Sequence, residues 1–202
     1  MMIDTAKWIS VPAETNSFWL FRRAFDVPTG TKARLEIAAD TNFAVFCNGA
    51  WIPGAQLMDM PPRRNVTELS LTLRPGRNVL AVSLYYSGRD SLNYRTGEPG
   101  LAAVVIQDGK VLAKTGDEGW QYRRDEAYLP GEVLVTTQLG FTYAFDARLA
   151  FDWQHLDASD DGWKIPEISN APVEYAPREV SLLDTTEAAQ IRICQAGYLL
   201  RT

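Results

Sequence analysis

Short runs of alternating apolar and polar residues succeed one another from residue 18 to residue 149, and each run stops at a glycine, proline or asparagine turn. In KARLEIAAD, Ala33, Leu35, Ile37 and Ala39 fall on one face and Arg34 and Glu36 on the other, the pattern of a half-buried strand. In TNFAVFCNGAWI, Asn48-Gly49 supplies the positive φ angles of a type I′ turn and so predicts a hairpin into Trp51-Ile52. Asp108-Gly109 predicts a second hairpin between Leu101–Ile106 and Lys110–Ala113. FWLFRRAFDV reads as a first strand that ends at Pro28-Thr29-Gly30. The turn Arg74-Pro75-Gly76-Arg77-Asn78 separates a strand carrying Leu69, Leu71 and Leu73 from the near-continuous apolar run Val79–Tyr86, which reads as a central strand covered on both faces. Trp120–Arg123, Val133–Thr137 and FTYAFDARL, up to Leu149, continue the style. No segment sustains a helical period; Thr185–Gln190 is the nearest and is too short to organise a fold. Eight to ten short strands at this spacing in 202 residues predict an all-β sandwich or jelly roll.

The pattern changes after Trp163, where KIPEISNAPVEYAPREV brings prolines close together. This predicts one main domain at residues 5–165, followed by an extended proline-rich linker and a terminal strand at residues 166–202. Cys47 and Cys194 lie far apart within apolar segments and read as buried free thiols rather than a disulfide framework or metal site. The opening MMIDTAKWIS holds no apolar leader core, and no stretch approaches the about 20 apolar residues of a membrane span, so a soluble cytoplasmic chain with no membrane partner is expected. A formal charge of −5, from 20 basic and 25 acidic residues, argues against a nucleic-acid partner.

Chemical motifs are few. His155 is the sole histidine and sits in the turn-rich stretch WQHLDASDDGW with no nucleophile motif nearby, which reads as a turn histidine. Asp157, Asp160 and Asp161 are acidic enough for a cation, yet Asp160-Asp161-Gly162 before Trp163 is also an ordinary tight turn in which aspartate accepts from local amides, and that reading is preferred. No phosphate-binding glycine loop, HExxH or EF-hand pattern occurs, and sequence alone selects no carboxylate pair for glycoside hydrolysis. The informative constellation is Trp51 after its hairpin with Tyr85, Tyr86, Arg89, Asp90, Asn93, Tyr94 and Arg95 around a long loop. A sugar offers an apolar ring face and a rim of hydroxyls, so an aromatic platform with amide, carboxylate or guanidinium partners suits it. The competing reading is that these aromatics cover one end of the sandwich core.

The order of AKWIS, FWLFRRAFDV, LEIAADTNFAVFCNGAWI, LRPGRNVLAVSLYYSG, PGLAAVVIQDGKVL, DEGWQY, FDARL and WQHLDASDDGW resembles the N-terminal non-catalytic β-sandwich of bacterial α-L-rhamnosidases and their relatives, over roughly Ala6–Trp163. The sugar-binding domains of β-galactosidase-like and β-glucuronidase-like hydrolases share several of these motifs and are the alternative parents. The resemblance implies a galactose-binding-like jelly roll whose partners are the downstream domains of a parent enzyme and carbohydrate. It carries over no catalytic residue, because the acids of those enzymes lie in a downstream barrel, so no activity is expected from this chain alone. Alanine and phenylalanine at positions 144 and 145 stand where relatives often carry an acid. No cofactor is expected, although related jelly rolls hold a structural Ca²⁺ through backbone carbonyls. The expected role is a non-catalytic accessory domain, the alternatives being an autonomous carbohydrate-binding module or a purely structural β-sandwich.

Overall fold

The computed structural model describes residues 1–92, 94–129 and 133–183. In chain order the strands are β1 (Ile9–Ser10), β2 (Ser17–Val27), β3 (Lys32–Asp40), β4 (Asn42–Cys47), β5 (Ala50–Ile52), β6 (Arg63–Thr72), β7 (Gly76–Tyr86) and β8 (Gly100–Gln107). They continue as β9 (Lys110–Lys114), β10 (Trp120–Arg124), β11 (Tyr128–Leu129), β12 (Leu134–Thr136), β13 (Gly140–Phe141), β14 (Ala144–Phe145), β15 (Glu167–Ile168) and β16 (Glu174–Pro177). Two antiparallel-dominated sheets form an all-β sandwich. One runs β15-β1-β8-β3-β6-β16 with β9 also on β8, and the other runs β10-β2-β7-β4-β5. Among the described residues, helical structure is confined to single 3₁₀ turns at Met2–Thr5 and Ala147–Leu149.

The core lies between the sheets because one parity of each strand is apolar. From β2 it takes Trp19, Phe21, Phe25 and Val27; from β3, Leu35 and Ile37; from β7, Leu80, Val82 and Leu84; from β8, Leu101, Ala103 and Val105. Full burial of side chains such as Phe21 or Leu35 contributes on the order of 2 kcal/mol each. Both predicted hairpins form, with Asn48 and Gly49 at φ 52° and 84° and Asp108 and Gly109 at 50° and 74°. Strand β7 is central, between β2 and β4. Cys47 is a buried free thiol, which burial pushes up to about 11.

Two local expectations are revised. Glu36, assigned by alternation to a solvent face, is 1% exposed. The opening 3₁₀ turn lies over that face, with Ile3, Trp8, Ala38, Val66 and Val104 in a second apolar layer, and the Glu36 carboxylate accepts from the Ile3 amide at 2.8 Å and pairs with Arg34 at 2.9 Å. FTYAFDARL is not one strand. It breaks into β13, β14 and the second 3₁₀ turn, where the Asp146 side chain accepts from the Arg148 amide and caps the turn. The proline-bearing stretch after Ile165 runs extended, as its composition indicates, and lies on the sandwich, β15 pairing with β1 and β16 running parallel to β6. Cys194, Thr185–Gln190 and the terminal strand expected near Ile191–Leu200 lie outside the described residues.

Candidate functional site

The second parity of β2, β7 and β4 faces away from the core: Phe18, Tyr85 and Asn42 share one rung, Leu20, Ser83 and Ala44 the next, and Arg22, Ala81 and Phe46 the third. Described residues between 125 and 163 cover this outer face. Toward the third rung, Trp153, Phe151 and Trp163 pack on Leu20, Ala81 and Phe46. Toward the first, the β11–β14 and β12–β13 pairs stand over the sheet and leave a cleft of about 450 Å³. Small side chains on adjacent strands, Ala44 and Ser83, make its floor; Phe18, Tyr85, Tyr128, Phe141, Tyr143, Leu139 and Met58 make its walls.

The rings are held by one another. Phe18 stacks on Tyr128 with centroids 3.7 Å apart at 12°, leans on Tyr85 at 4.9 Å and meets Tyr143 edge-on at 5.8 Å, while Tyr143 meets Tyr128 at 5.3 Å. Such contacts orient aromatic faces in addition to burying them. Hydroxyls and amides of Thr41, Asn42, Ser83, Ser87, Ser91 and Gln138 complete the lining, and burial raises the phenols of Tyr85 and Tyr128 so that both stay neutral donors. Among the described residues no charged side chain lines the cleft.

Behind one wall lies a buried ion cluster. Tyr94 is 3% exposed and donates its hydroxyl hydrogen to Asp40 Oδ1 at 2.6 Å; Arg64 bridges Asp40 Oδ2 at 2.6 Å and Asp59 Oδ1 at 2.7 Å; Gln56 donates to Asp59 and accepts from the Ala39 amide. Burial outweighs Arg64 and raises Asp40 above the usual carboxylate range. Burial would lower Arg64, but Asp40 and Asp59 overcome that and hold it high.

Of the residues singled out in sequence, Tyr85 and Tyr94 line the cleft. Tyr86 points the other way, buried, its hydroxyl donating to the Gly97 carbonyl at 3.0 Å. Arg89 is exposed; Arg95 pairs with Asp90 at 3.7 Å on the surface; Trp51 is 52% exposed on the edge strand β5 and does not line the cleft; Asn93 lies outside the described residues. Phe18, Tyr128, Phe141 and Tyr143 were missed, since they come from three distant segments. The outward parity of Phe18 on β2 was the signal that could have found the first of them.

The 155–163 stretch is a turn, as its sequence indicates. The Trp163 amide donates to the Asp160 carbonyl and the Asp161 amide to Ser159 Oγ, and no group of three metal-ligating side chains occurs among the described residues. Arg22 clamps this turn to β2: it pairs with Asp160, donates to the Ala158 carbonyl at 3.2 Å, and lies over the Trp163 ring at 4.3 Å. His155 is an exposed turn residue whose ring lies against Gly49.

The fold is that of a two-sheet β-sandwich domain, and solved structures share it. The chain is similar to a GH78 family rhamnosidase of Bacillus sp. GL1, with 30% identity and a TM-score of 0.78 over 88% of this chain and 20% of that one. It is also similar to an α-L-rhamnosidase from Dictyoglumus thermophilum (19% identity, TM-score 0.65, 86% of this chain and 22% of that one). A Pleurotus ostreatus lectin, solved in complex with GalNAc, shares the fold at 19% identity and a TM-score of 0.54, over 85% of this chain and 46% of that one. No protein-family model matches the chain, and no curated protein does. The chain spans about a fifth of the rhamnosidases it matches, so it corresponds in structure to one domain of a GH78-like protein.

Proposed function

We propose that this domain is a non-catalytic accessory module of a bacterial α-L-rhamnosidase-like glycoside hydrolase, standing N-terminal to the catalytic domain and contacting carbohydrate through its outer-face cleft. The observation that carries the reading is the cleft itself, in which an aromatic wall of Tyr85, Tyr128 and Tyr143 faces hydroxyls and amides. A pyranose has an apolar face to stack and a rim of hydroxyls to pair, and a neutral, partly apolar cleft answers both. The Bacillus rhamnosidase and the Pleurotus lectin support a carbohydrate setting for this sandwich.

A second reading is supported by the apolar rim. Val133 and Leu139 are more than two-thirds exposed beside the cleft, which suits packing against a neighbouring domain of a longer protein. Titration separates the two. NMR shifts in the rings of Tyr85, Tyr128 and Tyr143 on addition of L-rhamnose or GalNAc support carbohydrate contact, with Kd values of about a millimolar to a hundred micromolar. Saturating sugar that moves none of these signals supports the structural role alone.

A further inference from the structure

The aromatic cleft has a neighbour. A second cavity of about 400 Å³ lies further along the same outer face, walled by Phe46, Phe145 and Phe151, and Ala44, Ser83 and Tyr128 line both spaces. The shared floor is a cross-strand pair of small side chains, Ala44 on β4 and Ser83 on β7; Leu20, the third residue of that rung, lies under Trp153 and lines neither cavity. From the level of Asn42 to that of Phe46 the floor runs four residues, about 13 Å along β4, longer than one sugar ring. Among the described residues, the side chain common to both walls from above is Tyr128, held flat against Phe18.

The charge of the two cavities is also informative. Among the described residues, the first has no charged lining, and the second is lined by Asp125 and Asp152 and by no cation. Arg123 and Arg124 act on Asp125, but neither lines the cavity, and burial still dominates and raises its carboxyl. An anionic ligand would leave water for a neutral aromatic space at one end and meet carboxylates at the other, with no cation in the lining to offset either cost.

We infer that the two cavities are one continuous groove that binds an uncharged oligosaccharide of at least two rings, the first ring against Tyr85 and Tyr143 and the second between Phe145 and the Asp125–Asp152 side, whose carboxylates accept from its hydroxyls. This rests on the carbohydrate reading of the first cleft and extends it to length and charge.

The test titrates the whole chain with L-rhamnose, with rutinose as a neutral rhamnosyl-glucose disaccharide, and with a galacturonosyl-rhamnose disaccharide. Rutinose should bind about tenfold more tightly than rhamnose, and the acidic disaccharide about tenfold more weakly than rutinose. Phe145→Ala, at a half-exposed wall of the second cavity, should bring rutinose to the affinity of rhamnose, the loss for rutinose exceeding any change for rhamnose, whose cleft Phe145 touches only through the edge of Tyr128 at 5.0 Å. Asp152→Asn, at an exposed position, should recover binding of the acidic disaccharide, so the groove is tested by a gain as well as a loss. Equal affinities for rhamnose and rutinose, or equal affinities for the neutral and acidic disaccharides, overturn the groove while leaving a single-ring cleft standing. Binding of none of the three overturns the carbohydrate reading with it.

Discussion

Tyr94 reaches across 54 residues of sequence to donate a 2.6 Å hydrogen bond to Asp40, so a wall of the cleft and the end of β3 are joined through one buried proton. Removing that hydroxyl leaves a fully buried carboxylate oxygen short of a donor. Tyr94→Phe should therefore destabilise the fold by about 2 kcal/mol, read as a lowered urea midpoint with an unchanged slope. A midpoint equal to that of the parent would show that Thr41 and Arg64 satisfy Asp40 without it.

Arg64 serves two buried carboxylates at once, so its loss is expected to be costlier. Arg64→Leu strands both Asp40 and Asp59 away from water and should cost about 3–5 kcal/mol. Asp59→Asn, which leaves the Arg64–Asp40 pair in place, should cost less than Arg64→Leu in the same denaturation series.

Asp125 gives a pH signature of defined sign. Burial raises its carboxyl above 3.8 despite the Ala127 amide that donates to it, so between 3.8 and the raised value the folded state binds more protons than the unfolded one. The stability it contributes is complete at low pH and is lost as pH rises through the raised value. Asp125→Asn keeps an oxygen for the Ala127 amide and removes the buried charge. It should gain stability over the parent at pH 7, and the gain should vanish by about pH 3. A gain that persists in acid would assign the effect to something other than this carboxylate.

Gly49 meets two demands, a φ of 84° and the ring of His155 where a Cβ would stand. Gly49→Ala should cost more than about 1 kcal/mol, beyond the backbone term alone. Adding His155→Ala should restore part of the loss and leave the backbone part, which a double-mutant cycle of thermal melts measures.

Tyr143→Ala should weaken sugar binding by about tenfold, the scale of one aromatic contact, without changing the melting temperature much at this exposed site. Trp51→Ala, outside the cleft, should leave affinity unchanged in the same fluorescence-free NMR titration. The reverse result would move the site to the β5 edge.

What could be read in the sequence follows from which interactions are local. Asn48-Gly49 and Asp108-Gly109 name their own turns because only certain residues adopt those angles, and the parity of β2 and β3 names the core face. Glu36 was misplaced because alternation reports two faces but not what covers the second; the covering turn lies more than 30 residues earlier. The cleft was half legible for the same reason. Tyr85 and Tyr94 come from one strand and loop, whereas Tyr128, Phe141 and Tyr143 are brought over that strand by a segment whose short pairings leave little periodic trace. Trp51 looked like a platform because it follows a hairpin, yet hairpin ends on an edge strand face solvent as easily as a site.

The margins of both sheets have a consequence for the protein as a solute. A long bare strand at a sheet margin is a template on which a second chain can polymerise. Here β15 has two residues, β5 has three, and β10 is bridged at Tyr122 to Lys164. At the other end of the sheet that β15 borders, β16 lies along Arg63–Val66 of β6 and closes with Pro177, which has no amide hydrogen to offer, and β9, beside β8, begins and ends on Lys110 and Lys114. The longest strands, β2 and β7, are enclosed on both sides. Short borders, a closing proline and basic residues on β9 and β10 thus work against a second copy adding to these sheets.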